Sequence, residues 1–479
     1  MKRLALNFGV MKKARLFGLA VLALLLGEGK DVFAVDGPIL NKDKYEYKSN
    51  GSGEDWANPS SWSPNDTYFP GQTLFKNGTD GNFGRGLVVV NKKITMGDIS
   101  NYIYDNRTKR FESASHIFDI QKLTLEAGAD LTLNSDLYVS GGNGQDPSYI
   151  YKGGDLTISE GKTLWVEKTF QLNKDQIVDG GGTLKIGRKI TGNSHTLTAN
   201  VDVIIFVNDQ NQHNNIIEKL KLVANKSVTI NRNNDLSFID LTINEGGSFK
   251  TNYNKTITVT NNLVLNGGTL DIAAGTVKVT SEAKVLMVTG DAVLKGTGTL
   301  DVAKINIAGG ATLTINDNRT FDGIAFTGAG ALKVADGVTL TLNNTTFSND
   351  ITILKGETGT GQLVISGDLA GGTNSTLTTE VNTTLQAVGN FSGITTINVA
   401  GGTFNNFREI SEMANIAVAD GATLTTRSID VTNTLDLEGS LTGNSAITFT
   451  GTAATFGANT SIASGSFLGI NSNSTISGL

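Results

Sequence analysis

Between residues 305 and 342 one hydrophobic pattern occurs twice: Ile305-x-Ile307-x-x-Gly310-x-x-Leu313-x-Ile315, then Leu332-x-Val334-x-x-Gly337-x-x-Leu340-x-Leu342. Alternation with period two puts apolar side chains on one face of a strand and polar ones on the other. The glycine between the two runs takes a positive φ at little steric cost, so the chain can turn sharply there. The alternation then resumes with the same face inward. The pattern predicts strand, tight corner, strand, with both strands facing one core.

The same frame fits Leu123/Leu125/Gly128/Leu131/Leu133, Leu156/Ile158/Gly161/Leu164/Val166, Leu241/Ile243/Gly246/Phe249 and Ile416/Val418/Gly421/Leu424. It also fits Leu220/Leu222/Asn225/Val228/Ile230, where asparagine is expected to supply the left-handed corner. Two copies are one residue shorter, Leu263/Leu265/Gly268/Leu270 and Ile397/Val399/Gly402/Phe404. Irregular recurrence at roughly 20–30 residues marks a solenoid, whose units bury their apolar faces only by stacking. A hairpin fits any one unit, but it does not explain the recurrence with variable insertions. The expected fold is all-β, a right-handed parallel β-helix, its hand following from the rule for parallel crossovers. On the order of 15 coils at about 4.8 Å each would give a rod of roughly 70 Å.

Composition sharpens this reading. The 57 glycines against 5 prolines suit many corners in an uninterrupted ladder, and with no cysteine the stability must come from stacking. Residues 1–34 hold six basic residues against two acidic ones, so the rest of a chain of net charge −6 carries about −10. Beyond Lys355 only Arg408 and Arg427 are basic, against nine acidic residues. A nucleic-acid surface needs clustered Lys and Arg, so no nucleic-acid partner is expected.

Residues 1–34 read as a signal peptide. Lys12, Lys13 and Arg15 precede the apolar run Leu16–Leu26, which is short for a bilayer span, and Val32-Phe33-Ala34 suits cleavage after Ala34. Met11 offers an alternative start, and an uncleaved anchor is the competing reading. Residues 35–119 differ in texture, with four of the five prolines and with Trp56 and Trp62 in the string Trp56-Ala57-Asn58-Pro59-Ser60-Ser61-Trp62-Ser63. We read this segment as an N-terminal cap and first coils, because the open end of a solenoid must be covered. A carbohydrate-stacking tryptophan pair is the alternative. Residues 120–479 are then the β-helix proper.

The basic leader, the Trp-x-Asn-Pro…Trp-Ser…Pro-Gly string and the Leu-Thr-Ile-x-x-Gly-x-x-Leu coils together resemble the passenger domains of Gram-negative autotransporters. The resemblance covers roughly 45–479 and implies a right-handed β-helix displayed at the cell surface, often as an adhesin. It departs at the C-terminus. Autotransporters usually finish with a β-barrel translocator, whereas here no charge follows Glu438 and the sequence ends on Ser477-Gly478-Leu479 without barrel-length strands or aromatic girdles. The β-helix reads as truncated at its C-terminus, with an exposed edge. The outer membrane would be reached only through a translocator outside this chain. The Asn-Pro-Asn motif of two-partner secretion exoproteins is missing, since Ser60 follows Asn58-Pro59.

Three stretches interrupt the repeat: 101–118 with Arg107, Lys109 and Arg110; 208–221, a possible short helix through Ile216, Ile217 and Leu220; and 405–415, where Phe407, Ile410 and Met413/Ala414 are spaced like a helical turn or two. They are solvated loops, lateral helices or binding insertions. No catalytic, cofactor-binding or metal-ligating residue emerges. His116, His195 and His213 share no ligand spacing. Gly161-Lys162-Thr163 lacks the first glycine of a phosphate loop, with Leu156 in its place, and reads as a turn. Gly141-Gly142-Asn143-Gly144-Gln145-Asp146 opens like a calcium nonapeptide, but Ser148 stands at the apolar position and no tandem copy follows. A polysaccharide lyase or hydrolase would need carboxylates lining a groove, a pair such as Asp436 and Glu438, and their alternation reads better as solubilising charge. The expected function is that of a non-enzymatic, exported β-helix, structural or adhesive, at the cell surface or outside a Gram-negative cell, with a host-cell, matrix or glycan ligand. The alternatives are a polysaccharide-acting enzyme and a passive surface-layer component.

Overall fold

A computed structural model describes residues 46–49, 54–57, 61–62, 87–97, 117–141, 147–206, 217–231, 234–386, 391–471 and 474–478. The signal-peptide assignment and most of the expected cap fall outside these residues. The described residues are strands joined by turns, bends and short irregular segments, without an α-helix. Its strands pair in parallel with strands one coil away. The alternating code has therefore folded as a β-solenoid.

Each coil has three strands and so three faces. In one coil Thr169–Leu172 lies on the first face, Gln176–Gly180 on the second and Thr183–Ile186 on the third. On the third face one unbroken ladder runs from Ile117–Ile120 to Thr475–Ser477 through seventeen successive parallel pairings. At about 4.8 Å per step the rod is about 80 Å long, in keeping with the expected order of 15 coils. The first face begins with Glu46–Lys48 on Leu87–Val90, which in turn pairs with Lys122–Leu125.

The core is the line of inward side chains. On the second face Leu197, Leu222, Leu241, Leu263, Leu286 and Ile305 stack on successive rungs, each at most 1% exposed. Each such burial contributes about 1.5–3 kcal/mol relative to exposure. At the last described coil this burial fails: Ile462 and Ile476 are 45% and 44% exposed.

The corners use two devices. Gly310 has φ 82° with open space where a Cβ would stand, so glycine is needed there for backbone conformation and not for room. Gly128 plays this part between the first and second faces, Gly161 and Gly246 between the second and third, and Gly337 and Gly421 between the third and first. The repeated pattern is therefore a corner code, usable at any of three corners, and this is why its spacing along the chain is irregular.

Asn225 departs from the expectation, since its φ is not positive. It sits instead in a side-chain ladder that climbs one corner of the rod. Asn200 Nδ2 donates to Asp179 Oδ1 (2.5 Å), Asn225 to Asn200 (2.5 Å), Asn244 to Asn225 (2.6 Å) and Asn266 to Asn244 (3.1 Å), and Thr289 Oγ1 closes the run on Asn266 (3.1 Å). A carboxamide donates and accepts at once, so stacked asparagines satisfy one another along the axis. Acidic residues make a second axial staple. Asp136, Asp175, Asp202, Asp235, Asp291 and Asp350 each accept the backbone N–H of Thr163, Thr196, Ser227, Thr256, Thr312 and Thr376, one coil further on.

The helical spacing in 405–415 has another cause. The stretch belongs to the strand Thr403–Val418. Bulges between Asn406 and Glu409 and on either side of Met413, with Glu412 at φ 64°, bend that strand around the core. Ile410, Met413 and Ile416 thereby point inward, while Phe407 is 58% exposed. In 208–221, Ile217–Glu218 is a strand and Lys219 turns at φ 50°, so Ile217 and Leu220 are buried without a helix there. Residues 207–216 lie outside the described part.

Candidate functional site

Many outward positions on this rod are Thr, Asn, Lys or Asp, and a packed aromatic cluster interrupts them. In Leu137-Tyr138-Val139 and Leu164-Trp165-Val166 the flanking residues face the core, so the rings point outward from the third face. Parallel pairing stacks Tyr138, Trp165 and Lys185 on successive rungs. The Tyr138 and Trp165 ring centroids are 4.9 Å apart at 62°, and Phe206 meets Trp165 at 5.5 Å and 66°, both favourable edge-to-face contacts. Lys185 Nζ stands 5.8 Å from the indole centroid, within cation–π range. Tyr138 is 3% exposed and its hydroxyl donates to the Glu167 carboxylate. The Lys189–Glu218 ion pair at 3.0 Å belongs to the first face.

Trp165 and Phe206 remain half-buried, so the patch offers partly open ring surface beside a cation and a carboxylate. Open ring edges beside a cation and a carboxylate are groups that can stack on and hydrogen-bond to a polar ligand. The cluster is not legible as such in the sequence, because each aromatic occupies a formally polar slot of the alternation. An aromatic residue at the central position of Leu-x-Val was the available signal.

The residues singled out in the sequence are scattered. Trp56 and Trp62 are both fully buried, 5.0 Å apart edge to face, and Trp62 Nε1 donates to the Trp56 carbonyl at 2.9 Å. The backbone around Trp56 pairs with Thr95, extending the coil beneath. Neither ring is open to a sugar, which removes the carbohydrate-stacking alternative. Asp436 and Glu438 are exposed on the rod, and the adjoining rungs set Ala417 and Thr455 beside Asp436. No aromatic ring flanks it there. Gly161-Lys162 turns between strands and Thr163 opens the next one, its N–H held by Asp136 at 2.7 Å. His195 Nδ1 is 3.4 Å from Asp175. His116, His213, residues 142–146 of the glycine-rich string and the Arg107–Arg110 segment lie outside the described residues. Among the described residues no three His, Cys, Asp or Glu side chains converge as a metal site.

The polar groups inside the rod are few and structural. Gln176 Nε2 donates to Tyr149 Oη at 2.6 Å, and burial pushes that phenol well above its ordinary range. Burial likewise lowers Arg319, whose guanidinium binds the carbonyl oxygens of Gly298 at 2.9 Å and of Gly296. Asp336, though exposed, is held below the usual carboxylate range by the backbone N–H of Thr358 first, with Thr360 and Gly359 assisting.

The chain matches no protein-family model, no curated protein and no solved structure.

Proposed function

We propose that this chain is an exported surface rod of the autotransporter-passenger type, structural and adhesive, and not an enzyme. The observation that carries the reading is the continuous β-solenoid of about 80 Å, whose side chains form axial ladders along its outside. A rigid rod of that length holds a contact surface away from its point of attachment. The Trp165 patch is the adhesive contact we favour, and its ligand is a neutral or acidic glycan resting on the indole edge beside Lys185.

Two measurements test this. Expression in a Gram-negative host should deliver a protein with Val35 at its N-terminus outside the inner membrane, and retention of an intact leader in the cytoplasm would refute export. A glycan or matrix array probed with the purified rod should give binding that Trp165→Ala lowers at least tenfold while the circular dichroism is unchanged. Background binding by the wild-type rod, or full binding by the variant, would refute adhesion through this patch.

A further inference from the structure

On the first face, between Thr339 and Ser461, the outward positions form two straight rows. One row is Thr339, Gln362, Asn382, Thr403, Thr423, Ser440 and Ser461. The second is Thr341, Val364, Thr384, Asn405, Thr425 and Thr442. Neither row contains a charge or an aromatic ring, although 18% of the chain is charged. Earlier rungs of the same face are ordinary, as the Lys278–Asp301 ion pair at 3.6 Å shows. The rows are also pre-ordered along the axis. Thr425 and Thr442 hydroxyls are 2.9 Å apart, Ser461 donates to Ser440 at 2.8 Å, and Thr403 N–H bonds to Asn382 at 3.0 Å.

We propose that this face docks against the same face of a second copy of the chain, the two rods lying side by side and parallel. Hydroxyl and carboxamide groups both donate and accept, so such a face complements itself, which a charged face does not. In-register rows of Thr, Asn, Gln and Ser are the material of dry, interdigitated sheet-to-sheet packing. Neither row offers a cation for a polyanion or a ring for a sugar, which disfavours those occupants; Phe407 and Arg427 stand at the edge of the face toward the second face. The rims set the direction. The corner between the third and first faces carries Asp336, Glu357, Glu380, Asp420 and Glu438 against one cation, Lys355, and so is net acidic. The opposite corner carries Glu409 paired with Arg427 at 3.5 Å, and Asp368. Antiparallel rods would bring the acidic rim against itself, whereas parallel rods bring it against the mixed rim. Six steps of about 4.8 Å and a strand width of about 13 Å give roughly 400 Å² of flat contact per copy. That is about half of what a standard interface buries per partner, so the contact is weak for isolated molecules and cumulative where many rods stand together. The inference does not depend on export or on the Trp165 patch.

The chain has no cysteine, so single thiols can be placed without background. Thr403→Cys and Asn405→Cys proteins are mixed and treated with a bis-maleimide spanning about 10 Å, the distance between packed sheets. Ala417→Cys, on the third face of the same region, is the control. Dimer should form at least tenfold faster in the mixture than with Ala417→Cys. Adding Thr384→Lys and Thr425→Lys to both partners should bring it to the control rate. Equal rates at both faces, or cross-linking that survives the lysines, would overturn the proposal. So would capture of a neutral glucan by the wild-type monomer with no face-dependent cross-linking.

Discussion

Asn225 separates two physical accounts of one residue. It donates to Asn200 and accepts from Asn244, both bonds being partly buried. A hydrogen bond is worth about 1 kcal/mol net, so Asn225→Ala should cost about 2 kcal/mol and leave Asn200 Oδ1 and Asn244 Nδ2 to find water. If the asparagine served a left-handed corner instead, Asn225→Gly would be neutral or stabilising. With a φ outside that region, glycine loses the same two bonds and adds about 0.5–1 kcal/mol of backbone entropy, so it should be worse than alanine. A long stacked array need not unfold in two states, so the effect is best read locally. In hydrogen exchange, 2 kcal/mol is roughly a 30-fold faster opening of amides in Lys221–Asn231, with Thr423–Leu437 as the distant reference. Wild-type protection in Asn225→Gly would refute the ladder.

Other consequences are open to test. Gly328→Ala places a Cβ 2.0 Å from the Ile307 carbonyl oxygen at φ 89°, and should cost about 3 kcal/mol or more. Gly310→Ala, with open space at φ 82°, should cost only about 1–2 kcal/mol; equal losses in denaturant titrations would contradict the distinction. The depressed Asp336 stabilises its loop above the ordinary carboxylate pKa of about 3.9 and loses that effect as pH falls through its lower folded value. Protection of residues 356–361 should therefore persist at pH 5–7 and fall below about pH 4, and Asp336→Asn should remove that dependence. The raised phenol of Tyr149 implies the opposite sign, with stability kept below about pH 10 and lost above it. Tyr149→Phe should cost about 1–3 kcal/mol at neutral pH by stranding Gln176, yet flatten the alkaline loss; an unchanged alkaline profile would show that other groups govern it.

The corner code was legible because Gly310 and its counterparts serve backbone conformation, which does not depend on what lies one coil away. The strand completing each coil was harder to see. On the first face Lys189–Thr191 and Ile217–Glu218 are too short to show alternation, and only the rungs below define them. Asn225 was misread for the same reason, since its partners are 25 and 19 residues away. Residues 405–415 looked helical because bulges reset the period of a bent strand. The Trp165 cluster was hidden because stacking, not local sequence, brings Tyr138, Trp165 and Phe206 together.

The stacked rod itself is tested most directly by distances along it. Lys185, Lys333 and Asp436 lie on the third face, with Lys333 seven rungs and Asp436 twelve rungs from Lys185. Spin labels on cysteines at these positions, in pairs, should give pulsed electron paramagnetic resonance distances of about 34 Å for 185/333 and about 58 Å for 185/436. Distances that grow in proportion to rung number would establish a single continuous solenoid. A 185/436 separation no longer than that of 185/333 would show a chain folded back on itself and would contradict it.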